Sequence, residues 1–494
     1  MKSPSIHIIL LFLIISQLSA FSQTESTNSV LDIETCRELM LEHDYQIKIA
    51  TEQLYIAENS RKSSFTNFFP SIDFTGQYML TNKKWYLLDE NVFLPVVPFW
   101  AIDENTMDLN PEIMENPLIS GIMIDPETGG LMTDGNGDPV FLQYAYAPSD
   151  QFQFGSKNLF MLNTGMTQPI YLGGKIRSQY RIAKITESIQ KERMELTKDE
   201  RILNLEKLYW KIVGLQEKQI LAKRYKTMLD TLVKDVENMY EEGIVTRNEV
   251  LQAKLKQNEV DFEVFQAENG LSLASTALNQ MIGYPLDSIV TLSDQILPVR
   301  VYTDRNEMIS NALQNRPELN LLNNSIQLAD EGVKLAWSRF LPNIIATANY
   351  GWYNPNPYNG FQNEFGGDWN VGITCRIPIT QWGKRIHGLN SAKSLQTIAE
   401  LKTKETRELI QLEVQQSWNK YLEAFKQIET QKIGLQQAEE NLRIQTDYFH
   451  EGMIKLSDLL EAQALWQEAS SELLEAQTEL REYEIGIKKS TGQL

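Results

Sequence analysis

Residues 240–253 read YEEGIVTRNEVLQA and residues 449–462 read FHEGMIKLSDLLEA. In each, a Gly ends one helix-forming stretch, and an acidic residue, Glu249 or Asp458, helps to open the next. The offset is 209 residues, the separation of Gly243 and Gly452. The same offset lays Gly174-Lys175 on Gly383-Lys384 and Ala183-Lys184 on Ala392-Lys393. Ala57 and Pro70 match Ala329 and Pro342 at an offset of 272, because the first copy carries an insertion between Pro70 and Gly174. A duplication of this size is the primary organising signal. It predicts two copies of helix, strand pair, long helix, turn and helix. The first copy is residues 23–300, with strands 71–81 and 158–171, an insertion at 82–157, and helices 175–240 and 247–282. The second is residues 301–494, with strands 343–353 and 368–380 and helices 384–448 and 456–490. Gly283-Tyr284-Pro285 stops a helix between them, and the stretch to Pro298 is a linker.

The helices carry a narrow apolar seam. Leu459, Ala462, Trp466, Ala469, Leu473, Ala476, Leu480, Tyr483 and Ile487 keep a 3-4 spacing. Val250, Ala253, Gln257, Val260, Val264, Ala267, Leu271, Ala274 and Leu278 hold the same register one copy earlier. Such a pattern marks helices touching along a line, as in a coiled coil, rather than the wide buried face of a globular helix. The helices before the Gly turns are longer still, roughly 100 Å at about 1.5 Å per residue. No Pro interrupts them. A coiled-coil rod would account for these helices but not for the strands.

Four segments alternate strictly. Ile72, Phe74, Gly76, Tyr78 and Leu80 oppose Ser71, Asp73, Thr75 and Gln77. Phe160, Leu162, Thr164 and Met166 oppose Asn163, Gly165 and Thr167. Ile344, Ala346, Ala348, Tyr350 and Trp352 oppose Asn343, Thr347 and Asn349. Trp369, Val371, Ile373, Cys375 and Ile377 oppose Asn370, Gly372, Thr374 and Arg376. Alternation over about ten residues suits a tilted strand with lipid on one side and water on the other. A half-buried sheet in a soluble sandwich would alternate in the same way. The long helices and an export leader favour the membrane. Open sheet edges are not tolerated in lipid, so four strands per chain must be pooled. Two copies would give eight strands, whose interior side chains largely fill. Three give twelve, the smallest multiple with a usable lumen.

The leader is read from Lys2, the apolar run Ile8 to Ile15, and Ala20-Phe21-Ser22, as a signal peptide over residues 1–22. No later run of about 18 apolar residues predicts a transmembrane helix. The formal charge of −19 argues against nucleic acid as a partner. Cys36 and Cys375 lie in unlike segments, so no disulfide framework is expected. Enzyme signatures are missing: Gly174-Lys175 is followed by Ile176 rather than Ser or Thr, and His43, His387 and His450 are scattered. No catalytic, cofactor-binding or metal-ligating set is expected.

Several short motifs occur in a family's order. They are Leu31-Asp-Ile-Glu34, Phe69-Pro70, Leu341-Pro342, Gly283-Tyr-Pro285, Arg316-Pro-Glu-Leu319 and the paired Gly turns. On these the chain resembles the TolC-like outer-membrane efflux family over nearly all of its mature length. The resemblance implies an α+β membrane protein. Its trimer would build a twelve-stranded transmembrane β-barrel, four strands per chain, continuous with a long periplasmic α-helical barrel. It also implies the exit duct of a tripartite efflux or type I secretion system in the outer membrane. Such a duct passively conducts substrates handed on by an inner-membrane transporter and a periplasmic adaptor. By the same resemblance Asp458 and Glu461 line the pore entrance, each as a ring of three carboxylates that filters cations. As residues they equally suit the start of a helix, where the dipole favours carboxylates. Glu249 and Phe449 stand at the family's gate Asp and Tyr. Phe449 has no hydroxyl, and an Arg used by some members falls on Ile454, so closure by packing is expected. Gly243 and Gly452 end the long helices and, by resemblance, touch the adaptor. No Met or His cluster lies along the duct, and drug-like small molecules are the default cargo. A non-channel coiled-coil structural protein remains the alternative.

The insertion falls between two strands, opposite the helices, and is therefore expected at the cell surface. Asp134-Gly-Asn136-Gly-Asp138 resembles the start of a calcium loop. Pro139 and Ala145 occupy positions where Gly and a bidentate Glu are needed, so a Gly-rich turn is expected instead.

Overall fold

Asp32 starts the first helix: its Oδ1 accepts from Thr35 N at 2.8 Å, which satisfies one of the donors that every helix N-terminus leaves open. The computed structural model describes residues 29–82, 85–86, 90–103, 106, 110, 121–149, 153–154, 156–294 and 304–494. The expected signal peptide, residues 295–303, which include the end of the expected linker, and part of the insertion lie outside these residues. The chain divides into two compact units, which follow the secondary structure rather than the repeats. One is residues 1–65, 175–339 and 381–494; the other is 66–174 and 340–380.

The first unit is helical. Short helices α1 (Ile33–His43) and α2 (Tyr45–Thr66) precede the long α3 (Lys175–Glu241) and α4 (Arg247–Ile282). The second copy repeats this order with α5 (Arg305–Asn315), α6 (Pro317–Ser338), α7 (Lys384–His450) and α8 (Leu456–Thr491). The long helices have 67 residues each, and their partners have 36 each. No position of either 3-4 seam is exposed, as line contact between helices requires. No described helix is long and apolar enough to cross a membrane.

Each leading helix is one helix broken in two. The break falls at Asp44 in the first copy and at Arg316 in the second, where Pro317 forces a new start. Equivalent cores flank the breaks. Cys36, Met40 and Ile47 pack with Leu205, Tyr209 and Leu278. Met308, Ala312 and Leu319 pack with Val414, Tyr421 and Ile487. Beside the first core, β1 (Ser29–Leu31) pairs in parallel with β8 (Val290–Leu292). Tyr209 Oη donates to Asp294 Oδ2 at 2.7 Å, and the same oxygen accepts from Ile33 N at 3.1 Å. Burial and that bond hold the Tyr209 phenol well above its ordinary value.

The second unit holds the sheet. Its strands are β2 (Ser71–Leu80), β7 (Asn158–Leu172), β9 (Asn343–Asn354) and β10 (Gly366–Arg376). They run antiparallel in the order β10-β9-β7-β2. The last strand stops at Arg376, short of the expected 380, because Pro378 has no N–H for a ladder. Register brings the four alternations into phase. One row is Phe74, Thr164, Tyr350 and Trp369, and the next is Ile72, Met166, Ala348 and Val371. The opposite face carries Asp73, Gly165, Asn349 and Asn370 in one row, with Asn349 donating to Asn370 at 3.1 Å.

The insertion adds two small hairpin ladders, β3 (Trp85–Tyr86) with β6 (Gln153–Phe154) and β4 (Val92–Pro95) with β5 (Tyr144–Ala147). At its Gly-rich tip, Asp134 Oδ1 accepts from the backbone N–H of Asn136 and Asp138, each at 2.9 Å. This is a turn closed by its own aspartate. Among the described residues no cluster of His, Cys, Asp or Glu could hold a metal.

Candidate functional site

The expected site residues gather at the two helical tips. At the first, Gly243 takes φ 76°, Gly243 N donates to Tyr240 O at 2.9 Å, and Ile244 N donates to Met239 O at 2.8 Å. The second repeats this: Gly452 takes φ 74°, with Gly452 N to Phe449 O at 3.0 Å and Met453 N to Tyr448 O at 2.9 Å. Both are helix ends of the Schellman type, which need a left-handed residue. A Cβ on either Gly would meet nothing within 4 Å, so backbone conformation alone demands Gly there.

The next helices start alike. Glu249 accepts from Thr246 N at 2.6 Å and from the Thr246 hydroxyl at 3.0 Å. The Thr-x-x-Glu spacing of a capping box was legible in the sequence. Asp458, its counterpart, accepts from Lys455 N at 3.4 Å and from the Ser457 hydroxyl at 3.1 Å. Both carboxylates are thus partly occupied as caps. Glu461, one turn on, is exposed and makes no hydrogen bond or ion pair among the described residues.

Phe449 is 2% exposed. It sits in one apolar cluster with Tyr225, Leu229 and Val236 of α3, Val260 of α4, and Leu456 and Leu459 of α8. Ile454 packs against the same cluster. Tyr240, the counterpart of Phe449, is 45% exposed. The two tips are therefore joined through one buried ring, with Phe449 inside and the Asp458 and Glu461 carboxylates exposed. Tyr225 was not foreseen. It is fully buried, its hydroxyl has no hydrogen-bond partner among the described residues, and burial pushes its phenol up to about 12. Its signal is the 3-4 run Tyr225, Leu229, Leu232, Val236, which extends the seam into α3.

The chain matches the family model described as outer membrane efflux protein over residues 147–284 and 308–493, well over half of its length. Solved structures share the fold at low identity. VceC of Vibrio cholerae is 15% identical over 93% of this chain and 96% of its own, with a TM-score of 0.66. CmeC of Campylobacter jejuni is 17% identical over 93% and 85%, at 0.69. The open state of MtrE of Neisseria gonorrhoeae is 15% identical over 93% and 88%, at 0.64. No curated protein matches the chain in sequence. With its duplicated long helices, its in-phase four-stranded sheet and this match along both repeats, the chain belongs to the outer membrane efflux protein family, whose members are outer-membrane channels and not enzymes.

Proposed function

We propose that three copies assemble into one exit duct, pooling twelve strands in the outer membrane and carrying substrates delivered by an inner-membrane transporter through a periplasmic adaptor. The observation that carries this reading is the sheet. Among the described residues both outer strands have an edge without a partner strand, and their apolar face is exposed: Ile72, Phe74, Leu80, Val371 and Ile373 are each about 70% exposed. A soluble sheet would bury that apolar face, and an open edge in lipid would leave backbone groups unsatisfied. Pairing β2 of one copy with β10 of the next closes both edges, and the polar row around Asp73, Asn349 and Asn370 then faces the lumen. The helices support the same assembly. Leu251, Leu255, Phe262, Phe265 and Leu273 make a second, exposed stripe on α4, which suits contact with a neighbouring copy.

In this reading Asp458 and Glu461 form carboxylate rings at the periplasmic entrance, with Glu249 beside them. Phe449 closes the tip by packing, and the turns at Gly243 and Gly452 meet the adaptor. The test is the mass of the purified protein in detergent together with single-channel conductance in planar bilayers. The expected result is a mass of three chains and a small cation-selective conductance whose selectivity falls in Asp458→Ala/Glu461→Ala. A monomer without conductance would return the chain to a coiled-coil tether.

A further inference from the structure

The chain carries a formal charge of −19, yet the helix ends that adjoin the strands in sequence are basic. Residues 175–186, 330–339 and 384–399 hold nine Lys or Arg against two carboxylates, Asp330 and Glu331. These segments of α3, α6 and α7 form one end of the helical unit. Arg181 donates to Glu331 at 3.1 Å, Gln396 donates to Asp330 at 2.8 Å, and Arg385 donates to the Arg339 carbonyl at 3.4 Å. Both carboxylates are thereby engaged. The cations Lys175, Lys184, Lys384 and Lys393 are exposed and make no ion pair among the described residues.

Helix stability does not explain them. Neither long helix has an acidic residue in its first turn, and Lys175 and Lys384 stand at the positive end of the helix dipole, where a cation is unfavourable. Both pairs nevertheless recur at the repeat offset of 209. A second recurrence lies on the short helices. Lys62 and Phe65 of α2 match Lys334 and Trp337 of α6 at the offset of 272. Phe65 and Trp337 are 47% and 52% exposed. Trp382, just before Lys384, is 94% exposed. By chain position all of these lie within a few residues to one short helical stretch of a strand end. Exposed cations among exposed aromatics are the composition of a membrane–water interface facing anionic lipid.

We infer that this end of the helical unit docks on the periplasm-facing leaflet of the outer membrane, with Lys175, Lys184, Lys384 and Lys393 holding the phosphates of anionic phospholipids and Phe65 and Trp337 seated in the headgroup layer. The inference rests on the channel reading, which sets the strands in the membrane and the helices in the periplasm. Because the pattern is duplicated, each chain offers the site twice.

The test uses the full chain purified in detergent, incubated with equal amounts of dioleoylphosphatidylglycerol and dioleoylphosphatidylcholine, re-isolated, and assayed for bound lipid by mass spectrometry. Wild type should retain the anionic lipid several-fold over the zwitterionic one. Lys175→Gln/Lys184→Gln/Lys384→Gln/Lys393→Gln should lose that preference. Lys207→Gln/Lys234→Gln/Lys404→Gln/Lys432→Gln makes the same change of charge at exposed lysines about 30 Å or more from the starts of the two long helices and should keep it. Circular dichroism establishes that both variants are folded. Equal retention of both lipids by wild type, or equal loss in the two variants, would overturn the inference. So would abolition of the preference by millimolar inorganic phosphate, which would mark a free-anion site. Conductance of the same wild-type sample separates the two readings: a conducting trimer with no lipid preference defeats the docking alone, and a non-conducting monomer defeats the channel.

Discussion

Arg201 reaches one oxygen of the buried Asp44 carboxylate with both Nε, at 2.9 Å, and Nη2, at 2.6 Å. The corresponding break in the second copy holds a pair of opposite polarity. Arg316, 4% exposed, donates to Glu413 at 2.5 Å and to Glu318 at 2.5 Å. In both copies a residue at the break between two short helices is ion-paired to the long helix of its own copy, but the signs are exchanged. Each break can therefore seat only on its own long helix, since the exchanged arrangement would bring like charges together. Arg201→Met leaves the Asp44 carboxylate buried with only the N–H groups of Gln46 and Ile47, and removing one partner of a buried pair costs about 3 kcal/mol. Asp44→Asn on top of it removes the stranded charge and should recover part of the loss, as a denaturant titration followed by helical circular dichroism would register. No recovery would mean that Arg201 acts by packing alone.

Glu413 makes that second junction sensitive to acid. Burial by itself would raise its carboxyl, but hydrogen bonds from Lys489 at 2.7 Å and Arg316 outweigh burial and hold it below the ordinary carboxylate range. A carboxyl depressed in the folded state contributes stability above its unfolded value, about 4.3, and loses that contribution as pH falls through the folded value. Glu413→Gln should therefore melt below wild type at pH 6. The gap should close as the pH falls below about 4. A gap that stays constant with pH would assign the effect to shape rather than charge.

How much of this was readable beforehand differs from element to element. The 3-4 seams, the alternating strands and the Gly tips are periodic or local, so each residue carries its own signal. The same holds for the capping box at Thr246 and Glu249. Other features depend on chain returns that no local pattern encodes. Val92-Phe-Leu-Pro95 has no alternation, and only its pairing with Tyr144–Ala147 makes it a strand. The three-residue β1–β8 ladder and the Tyr209–Asp294 bond join residues far apart in sequence. Phe449 was placed at the gate by resemblance, but its burial with Tyr225 comes from α8 packing against both α7 and α3, which the sequence shows only as separate seams.

The two cysteines report independently on the two environments, since both are free. Cys36 is fully buried, and burial, with Asp32 and Asp294 nearby, pushes its thiol up to about 12. It should not react with any maleimide until the helical unit unfolds. Cys375 is exposed and lies on the apolar face, opposite Ile344. In reconstituted vesicles a membrane-soluble maleimide should label it, and a charged one should not. Rapid labelling of Cys375 by the charged reagent would place that face in water and would reverse the inside and outside of the barrel.

In the proposed duct, Phe449 would separate closure from filtration at the tips. Removing a buried aromatic ring costs about 3–4 kcal/mol, and here the loss falls where the α3–α4 and α7–α8 hairpins of one chain are joined. Phe449→Ala should loosen that joint and raise single-channel conductance while leaving cation selectivity in place, because Asp458 and Glu461 are untouched. Asp458→Ala should do the reverse: it removes a weak cap bond of 3.4 Å and a charge that the proposed assembly sets in the pore, so selectivity falls with little change in opening. Phe449→Leu keeps most of the apolar volume and should sit near wild type. If Phe449→Ala lowers stability but leaves conductance unchanged, the ring is only a core residue, and closure lies with the contacts between copies.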